Sequence, residues 1–188
     1  MDAMSSAPAQ PLLLTYEDYC AVPQDGRRYE LLEGELCVGP SPTSRHQRVS
    51  RNLEFILHAQ VSARGLGEVL DAPMDVILDP GTVVQPDLLF VAASRLAIIT
   101  ERGVEGAPDL VVEIVSGRTG TFDRGPKRQL YARYGVAHYW IVDPDGRSLA
   151  EYVLQDRNYG LRATYQANSS CTTALFPDLP IDLASVFG

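Results

Sequence analysis

The feature that most constrains the fold is a carboxylate set inside an apolar, strand-like run. Glu113 lies in the run Asp109–Ser116, where most of the other side chains are Leu, Val or Ile. A second run of this kind, Val83–Val91, contains Asp87. A carboxylate within such a strand is buried on at least one face, and burying it without a partner costs several kcal/mol. Two such strands in a small chain predict that the carboxylates converge on a cation, on hydrogen-bond donors or on a metal.

Length and composition predict one globular domain. The chain has 188 residues, of which 45% are hydrophobic and 21% charged, enough to bury a core and ordinary for a globular protein. We expect residues 1–11, which are small and polar, to be disordered and residues 12–188 to form a single domain. Because the sequence has neither a run of about 20 apolar residues nor a signal-peptide pattern, we expect a cytoplasmic location. The three cysteines match neither a zinc site nor a disulfide framework.

The formal net charge of −8 limits the kind of nucleic-acid binding that the chain can support. Proteins that bind nucleic acids usually carry a basic surface. An acidic chain can still bind through a local basic patch and a bound cation, but its affinity is expected to be weak and sensitive to salt. The charge therefore argues against a tight, non-specific DNA-binding protein.

Hydrophobic periodicity and turn residues predict a mixture of helices and strands. Four helices are predicted. The first begins at the capping-box pattern of Thr15 and ends before Pro23, and the second covers 45–63 after a capping box at Ser44. The third has Pro126 in its first turn and ends at Gly135, and a short fourth helix closes the chain within 179–187. The predicted strands form a hairpin over 29–38 that turns near Gly34, and then lie at 68–78, 83–91, 109–115, 136–142 and 148–154. This order indicates a mixed sheet flanked by helices, in the α/β to α+β range.

The spacing of the carboxylates decides which of them can share one ion. Asp109 and Glu113 lie on one face of the same strand, but four residues of strand separate them by about 13 Å. Asp87 and Glu113 lie on different strands, and neighbouring strands are about 4.8 Å apart. If these strands pair in a suitable register, the two carboxylates can reach one Mg²⁺ at about 2.1 Å. We therefore favour Asp87 and Glu113 as the metal ligands.

A helical stripe adds one cation to this arrangement. Lys127 is followed on the same helical face by apolar and aromatic residues: Leu130, Tyr131 and Tyr134. This spacing places Lys127 on the core-facing side of its helix. A lysine there can neutralise buried carboxylates or orient an attacking water. The alternative is a lysine whose alkyl chain packs inward while its ammonium group reaches solvent.

Two further side chains are predicted to point inward. His46 precedes Val49 and Leu53 by three and seven residues, which places it on the buried face of its helix, near the start. It is either a core histidine hydrogen-bonded to the backbone or a residue of the site. Glu30 alternates in phase with Leu32, so its side chain is expected to point inward as well.

Taken in order, these residues resemble the Uma2 family, formerly a domain of unknown function. The resemblance covers residues 15–160 and is carried by Tyr29–Leu36, His46-Gln47, Gln85–Leu88, Pro108–Ser116, Lys127, Leu130–Ala132, Gly135-Val136, Tyr139-Trp140 and Val142–Pro144. Members of that family are classed as restriction endonucleases of the PD-(D/E)xK superfamily. The resemblance implies a restriction-endonuclease-like core: a mixed central β-sheet flanked by helices, with an N-terminal β-hairpin and an acidic site at the edge of the sheet.

The resemblance also implies roles for individual residues. Asp87 matches the aspartate of the PD element and Glu113 the acidic residue of the next strand. Both are therefore expected to hold Mg²⁺ or Mn²⁺, with the backbone carbonyl of Ile114 as a further ligand. Val115 stands where the superfamily lysine is expected, two residues after Glu113. In this family the role of that lysine moves to the following helix, where Lys127 matches.

The function implied by the resemblance is hydrolysis of DNA phosphodiester bonds by a metal-dependent endonuclease. Glu30 and His46 match recurrent positions of the family. Glu30 would support the metal through water, and His46 would donate a hydrogen bond to a phosphate oxygen. DNA contacts are expected from a basic rim: Arg45, Arg48, Arg51, Arg124 and Arg128. A homodimer would suit cleavage of both strands. Two alternatives remain open: a nuclease-like module that binds nucleic acid or a protein partner without cutting, and a metal-dependent hydrolase of a smaller phosphate compound.

Overall fold

The computed structural model describes residues 13–23, 25–117 and 119–188 of the chain. The disorder expected for residues 1–11 therefore concerns residues outside those described. The helices are α1 (Tyr16–Cys20), α2 (Ser44–Ala63), α3 (Gly120–Phe122), α4 (Arg128–Arg133) and α5 (Leu183–Phe187), with a 3₁₀ helix at Ala93–Ile98 and a π-helical segment at Asp123–Lys127. In this described part of the chain, no helix has the length and apolar character needed to cross a membrane.

The strands form two six-stranded sheets and one short pair. In chain order they are β1 (Arg28–Leu32), β2 (Glu35–Gly39), β3 (Gly67–Asp71), β4 (Val76–Asp79), β5 (Thr82–Val84), β6 (Leu88–Ala92), β7 (Ile99–Thr100), β8 (Gly103–Glu105), β9 (Leu110–Ile114), β10 (His138–Asp143), β11 (Ser148–Gln155), β12 (Asn158–Gln166), β13 (Ser170–Cys171) and β14 (Ile181–Asp182). The first sheet has the order β2-β1-β5-β4-β8-β7, the second has the order β12-β11-β10-β9-β6-β3, and β13 pairs with β14. Both large sheets are mixed, because β4 runs parallel to β8 and β9 runs parallel to β10. The α+β fold class predicted from the sequence is confirmed.

The central strands of the second sheet, β6, β9 and β10, are buried on both faces, and strand alternation divides the core in two. On β9, Val112 and Ile114 point toward the side covered by α2. Val111 and Val115 point the other way, toward α4 and the first sheet. Glu113 alternates with this second set, so the fold directs its carboxylate into the space between the two sheets and α4.

Prolines break two strands that the sequence predicts to be continuous. The predicted strand 68–78 is wrong, because the chain leaves β3 of the second sheet near Pro73 and enters β4 of the first. The predicted strand 83–91 is likewise split around Pro86 into β5 and β6, one in each sheet. A proline has no N–H to donate to a ladder, so it ends a central strand. The second break places Asp87 directly before β6, where the chain crosses between the sheets.

The starts of two helices also differ from the prediction. The N-terminal cap of α2 is Thr43, whose Oγ1 accepts a hydrogen bond from the His46 N–H at 3.2 Å, and not Ser44. The helix predicted to carry Pro126 in its first turn begins earlier, at Gly120, and passes through the proline in the π-helical segment. A proline lacks an N–H and clashes with the carbonyl of the preceding turn, and here it lies where the α-helical pattern gives way to a single π-helical turn.

Candidate active site

Strand pairing brings Asp87 and Glu113 to the same end of the second sheet. β6 pairs with β9 in the antiparallel register that sets Leu88 opposite Val112. One step further along, Asp87 lies opposite Glu113, as the metal-ligand prediction requires. Both residues are buried, with 6% and 3% of their surface exposed. Each carboxylate therefore needs compensating partners.

Three donors hold the Asp87 carboxylate. Its Oδ2 accepts hydrogen bonds from the Ile114 backbone N–H at 2.7 Å and from His46 Nε2 at 3.1 Å. Its Oδ1 accepts a hydrogen bond from Arg28 Nη1 at 3.1 Å. Burial alone would raise the pKa of Asp87, but the three donors, His46 foremost, hold it below its usual value. Because an ionised carboxylate only accepts hydrogen bonds, His46 carries a proton on Nε2.

Lys127 is the only lysine of the chain, beside fifteen arginines. Its Nζ lies 2.8 Å from Glu30 Oε1 and 3.0 Å from Glu113 Oε1. Burial alone would lower the pKa of Lys127, but the facing carboxylates outweigh burial and raise the pKa above its usual value. The ammonium group is therefore charged at neutral pH. With only 5% of the side chain exposed, the alternative in which it reaches solvent is excluded.

Glu113 combines an ion pair with strong desolvation. Its Oε1 accepts hydrogen bonds from Lys127 at 3.0 Å and from the Tyr131 hydroxyl at 2.8 Å. Burial raises the pKa of Glu113 to about 8, and the charge of Asp87 contributes, although Lys127 opposes the rise. Lys127 keeps a carboxylate partner when Glu113 is protonated, because Glu30 is its second partner. The raised pKa of Glu113 and the charged state of the lysine are therefore compatible.

Glu30 is oriented by the backbone as well as by the lysine. Its Oε1 accepts a hydrogen bond from the Gln85 N–H at 2.7 Å. The Gln85 side chain in turn donates to Asp75 Oδ1 at 2.8 Å and to the Tyr19 hydroxyl at 3.2 Å. Since Glu30 lies on β1, Lys127 joins a carboxylate of the first sheet to one of the second.

One cleft of about 290 Å³ collects the residues predicted for the site: Glu30, His46, Asp87, Glu113, Ile114 and Lys127. Asp109 is not among its lining residues. Its carboxylate accepts hydrogen bonds from Arg95 and from the Ala92 N–H, both at 2.8 Å. The structure therefore separates Asp109 from the site, as the strand spacing predicts.

Three residues of the site escape the sequence prediction. Arg28 precedes Glu30 by two residues on β1, so strand alternation could have identified it. Tyr131 lies four residues after Lys127 on the same helical face, but the sequence predicts it only as a core residue. Asp123 is 4% exposed and lines the cleft. It gives no sequence signal, because its segment is predicted to be a polar loop and not the π-helical turn that buries it.

The side chains of the cleft carry more negative than positive charge. Four buried carboxylates line it: Glu30, Asp87, Glu113 and Asp123. They face two permanent cations, Lys127 and Arg28, so full ionisation leaves an excess of two negative charges, which one divalent cation would offset. The second oxygens of Glu113 and Glu30 accept no hydrogen bond from any described residue, and carboxylate oxygens are the ligands that Mg²⁺ prefers.

The donor set fits an ion that completes its coordination with substrate and water. Among the residues that the structure describes, no three His, Cys, Asp or Glu side chains are grouped so that they could hold a metal by themselves. Mg²⁺ commonly takes one or two protein carboxylates and fills its remaining positions with water and phosphate oxygens. The paired carboxylates Asp87 and Glu113 are sufficient for that mode of binding.

Fold and site together define an α+β protein in which four buried carboxylates and a buried lysine share one cleft. A crystal structure of "a putative nuclease belonging to DUF820 from Anabaena variabilis ATCC 29413" has the same fold, with a TM-score of 0.75 and 17% identity over 93% of this chain and 97% of that chain. The profile of the Uma2 family, described as "Putative restriction endonuclease", matches residues 15–184. The chain belongs to the Uma2 family, which confirms the resemblance seen in its motifs. No curated protein matches the chain.

Proposed function

We propose that the protein is an endonuclease that hydrolyses DNA phosphodiester bonds with the help of Mg²⁺ or Mn²⁺. The observation that supports this most is the meeting of Asp87, Glu113 and Lys127 in one cleft. Membership of the Uma2 family and the nuclease-like fold support the class of reaction. The excess of carboxylates in the cleft supports a divalent cation.

The carboxylates of Asp87 and Glu113 and the carbonyl of Ile114 would hold the ion, which would polarise the scissile phosphate and lower the pKa of a water. Glu113 must first give up the proton that burial favours. Among the described residues, Asp87 Oδ1 accepts a single hydrogen bond, from Arg28, so a second lone pair of that oxygen remains for the ion. Arg28, whose side chain is 28% exposed, is the partner best suited to turn toward a phosphate, since a guanidinium group binds phosphate oxygens in pairs.

The remaining residues of the site bind and orient. Lys127 offsets the negative charge that builds on the phosphate and orients the attacking water. Glu30 fixes the position of the Lys127 ammonium group from the side of the first sheet. His46 carries a proton on Nε2 beside Asp87, so it can donate that hydrogen bond to a phosphate oxygen at the same place.

Nicking of supercoiled plasmid DNA in the presence of Mn²⁺ tests the proposal. We expect activity to fall roughly 10²-fold or more, as when a single electrostatic group is removed from an active site, in Asp87→Asn, Glu113→Gln and Lys127→Met. Arg133→Met is the matched control, because this substitution also removes one positive charge, but from an arginine that pairs with Glu33 on the surface, outside the cleft. Circular dichroism establishes that each variant is folded. Nicking that persists in folded Asp87→Asn and Lys127→Met would reject the assignment.

The pairing of both Asp87 oxygens with protein donors favours one alternative, a module that binds without cutting. Titration calorimetry separates the two functions. Mn²⁺ binding that disappears in Glu113→Gln, while plasmid stays intact, would favour the binding module. Cleavage of a small phosphodiester but not of DNA would instead favour a hydrolase of smaller phosphate compounds. We also propose a homodimer, as suits cleavage of both strands, and sedimentation velocity tests it.

A further inference from the structure

Two further hollows continue the cleft along the start of α2. The first shares the lining residues Thr43, His46 and Ser116 with the cleft. The second shares Arg45 and Asp145 with the first. We name the second hollow the arginine groove; its lining includes Arg45, Arg48, Asn52, Asp145, Arg147 and Phe187. The three hollows therefore lie next to one another, from the cleft to the turn between β10 and β11.

The arginine groove is basic although the chain is acidic. Its side chains contribute three positive charges and one negative, a sum of +2, on a chain of net charge −8. Asp145 forms an exposed ion pair with Arg45. The structure gives Arg48 neither an ion pair nor a side-chain hydrogen bond with any described residue. The Arg147 side chain makes its hydrogen bond and its ring contact with Phe187, where the guanidinium lies 5.9 Å from the ring centre and Nη1 lies 3.5 Å from the carbonyl.

Helical spacing sets two arginines of the groove side by side. Arg45 and Arg48 are three residues apart, so both lie on one face of α2, about 4.5 Å apart along the helix. Asn52 lies on the same face, but its amide nitrogen donates to the carbonyls of Ser185 and Val186. Arg147 lies on the turn between β10 and β11. Cations supplied by two separate elements suit an extended polyanion better than a single small anion.

We propose that the arginine groove binds the phosphodiester backbone of the DNA strand that flanks the scissile bond. The identity of the strand rests on the proposed function, whereas the charge and shape of the groove do not. The contacts would go to phosphates and would therefore position DNA without reading its sequence. Of the predicted basic rim, Arg45 and Arg48 line the groove, while Arg124 pairs with Asp143 at 2.8 Å. Arg147, which the sequence prediction does not include, completes the patch.

Fluorescence anisotropy with a short labelled DNA strand, in EDTA and at low salt, measures binding without cleavage. We expect Arg48→Ala/Arg147→Ala to weaken binding roughly tenfold or more, because two phosphate contacts are lost. The matched control Arg64→Ala/Arg157→Ala makes the same change in net charge at two exposed positions outside the three hollows, and should bind almost as the unaltered protein does. Arg48→Gln alone provides a second variant that breaks no contact in the described structure.

Salt dependence gives an independent readout. Each phosphate contact that is lost removes about 0.7 from the slope of log K against log salt for a single strand, and about 0.9 for duplex DNA. The double variant should therefore have a slope that is shallower by about 1.4 or about 1.8, respectively. The control variant should keep the slope of the unaltered protein.

Three results would overturn the proposal: equal affinities of the groove and control variants, no DNA binding by the unaltered protein, or displacement of DNA by polyglutamate as readily as by unlabelled DNA. The last result would assign the groove to an acidic protein partner. Because the assay contains no metal, the two proposals fail separately. A protein that binds DNA through the groove but never nicks plasmid would refute the endonuclease and support the groove. If the protein nicks plasmid and the groove variant binds DNA as tightly as the unaltered protein, the endonuclease is supported and the groove is refuted.

Discussion

At the scale of single residues, the chain has one lysine, which is buried, whereas its other fifteen strongly basic side chains are all arginines. An ammonium group is a compact charge with three donors, whereas a guanidinium group is a planar fork that requires more room. Lys127 meets Glu30 and Glu113 within 3.0 Å and sits close to Asp123, which also affects its pKa. The smaller cation suits the buried space between these three carboxylates.

We predict that removing this charge lowers the stability of the fold as well as the activity. Lys127→Met leaves Glu30 and Glu113 buried without their cation, and breaking a buried ion pair in this way costs about 3–5 kcal/mol. Arg133→Met breaks the ion pair between Arg133 and Glu33. These side chains are 54% and 56% exposed, so the substitution should cost at most about 1 kcal/mol of stability. Urea unfolding followed by circular dichroism measures both. Similar losses in the two variants would contradict the inferred role of the buried pair.

Glu113 should make the folded state less stable as the pH rises. Its pKa is about 8 in the folded protein, against an ordinary value of 4.5. Between these values the folded state keeps a proton that the unfolded state has lost, so the free energy of unfolding falls with rising pH, by at most about 1.4 kcal/mol per pH unit. Asp123, whose pKa burial also raises, acts in the same direction.

Urea unfolding at a series of pH values, without divalent cations, checks this dependence. The unaltered protein should lose stability between about pH 5 and pH 8 and then level off, because both states are deprotonated above the folded pKa. Glu113→Gln carries no titrating group at this position and should show a much shallower slope. A slope that is the same in both proteins would mean that Glu113 is ionised in the fold.

At the scale of secondary-structure elements, the β1–β2 hairpin lines one part of the cleft. It carries Arg28 and Glu30, and it turns through Glu33 and Gly34 with φ angles of 52° and 86°. A Cβ added at Gly34 would lie 2.7 Å from the Leu13 Cβ, closer than side-chain atoms pack. The turn thus requires glycine for two reasons, its left-handed backbone and the contact with the chain that crosses over it.

Substituting two glycines separates these reasons. Gly26 also has a left-handed φ of 82°, but a Cβ there would have no neighbour within 4 Å. Gly26→Ala should therefore cost only the conformational penalty, about 1–2 kcal/mol. Gly34→Ala should cost more, and it should reduce plasmid nicking, since a displaced hairpin moves Arg28 and Glu30. Thermal unfolding and the nicking assay measure the two effects. Equal unfolding temperatures for the two variants would argue against the contact with Leu13.

Elements with local patterns could be predicted from the sequence, whereas the crossings between sheets could not. The hairpin at 29–38 follows from its alternation and its turn, and the structure confirms it. The sequence does not predict the second large sheet, because Pro73 and Pro86 lie inside runs that it predicts to be continuous strands. Within the site, periodicity predicts which charged residues point inward, while their roles come from the family resemblance. Asp123 escapes prediction because its burial depends on a π-helical turn, which has no simple sequence pattern.

At the scale of the whole molecule, the cleft belongs to both sheets. Glu30 comes from the first sheet, Glu113 comes from the second, and Lys127 holds the two together. Gln85 and Asp87 flank Pro86 at the crossing and contact the site on either side of it. The relative position of the two sheets therefore fixes the distances in the site, and the buried lysine helps to fix the position of the sheets.

The same molecule carries a net charge of −8, which should repel DNA at long range. Glu101, Asp156 and Asp178 are exposed and lie outside the cleft and the arginine groove. The triple variant Glu101→Gln/Asp156→Asn/Asp178→Asn changes the net charge from −8 to −5. We predict a few-fold higher kcat/KM for DNA cleavage at low salt, because a weaker opposing field speeds association. The gain should fade above about 0.1 M salt, where the Debye length is about 10 Å. The control Glu101→Asp/Asp156→Glu/Asp178→Glu keeps the charge and should cleave as the unaltered protein does. A gain that is equal at low and high salt would show that the substitutions act locally and not through the overall field.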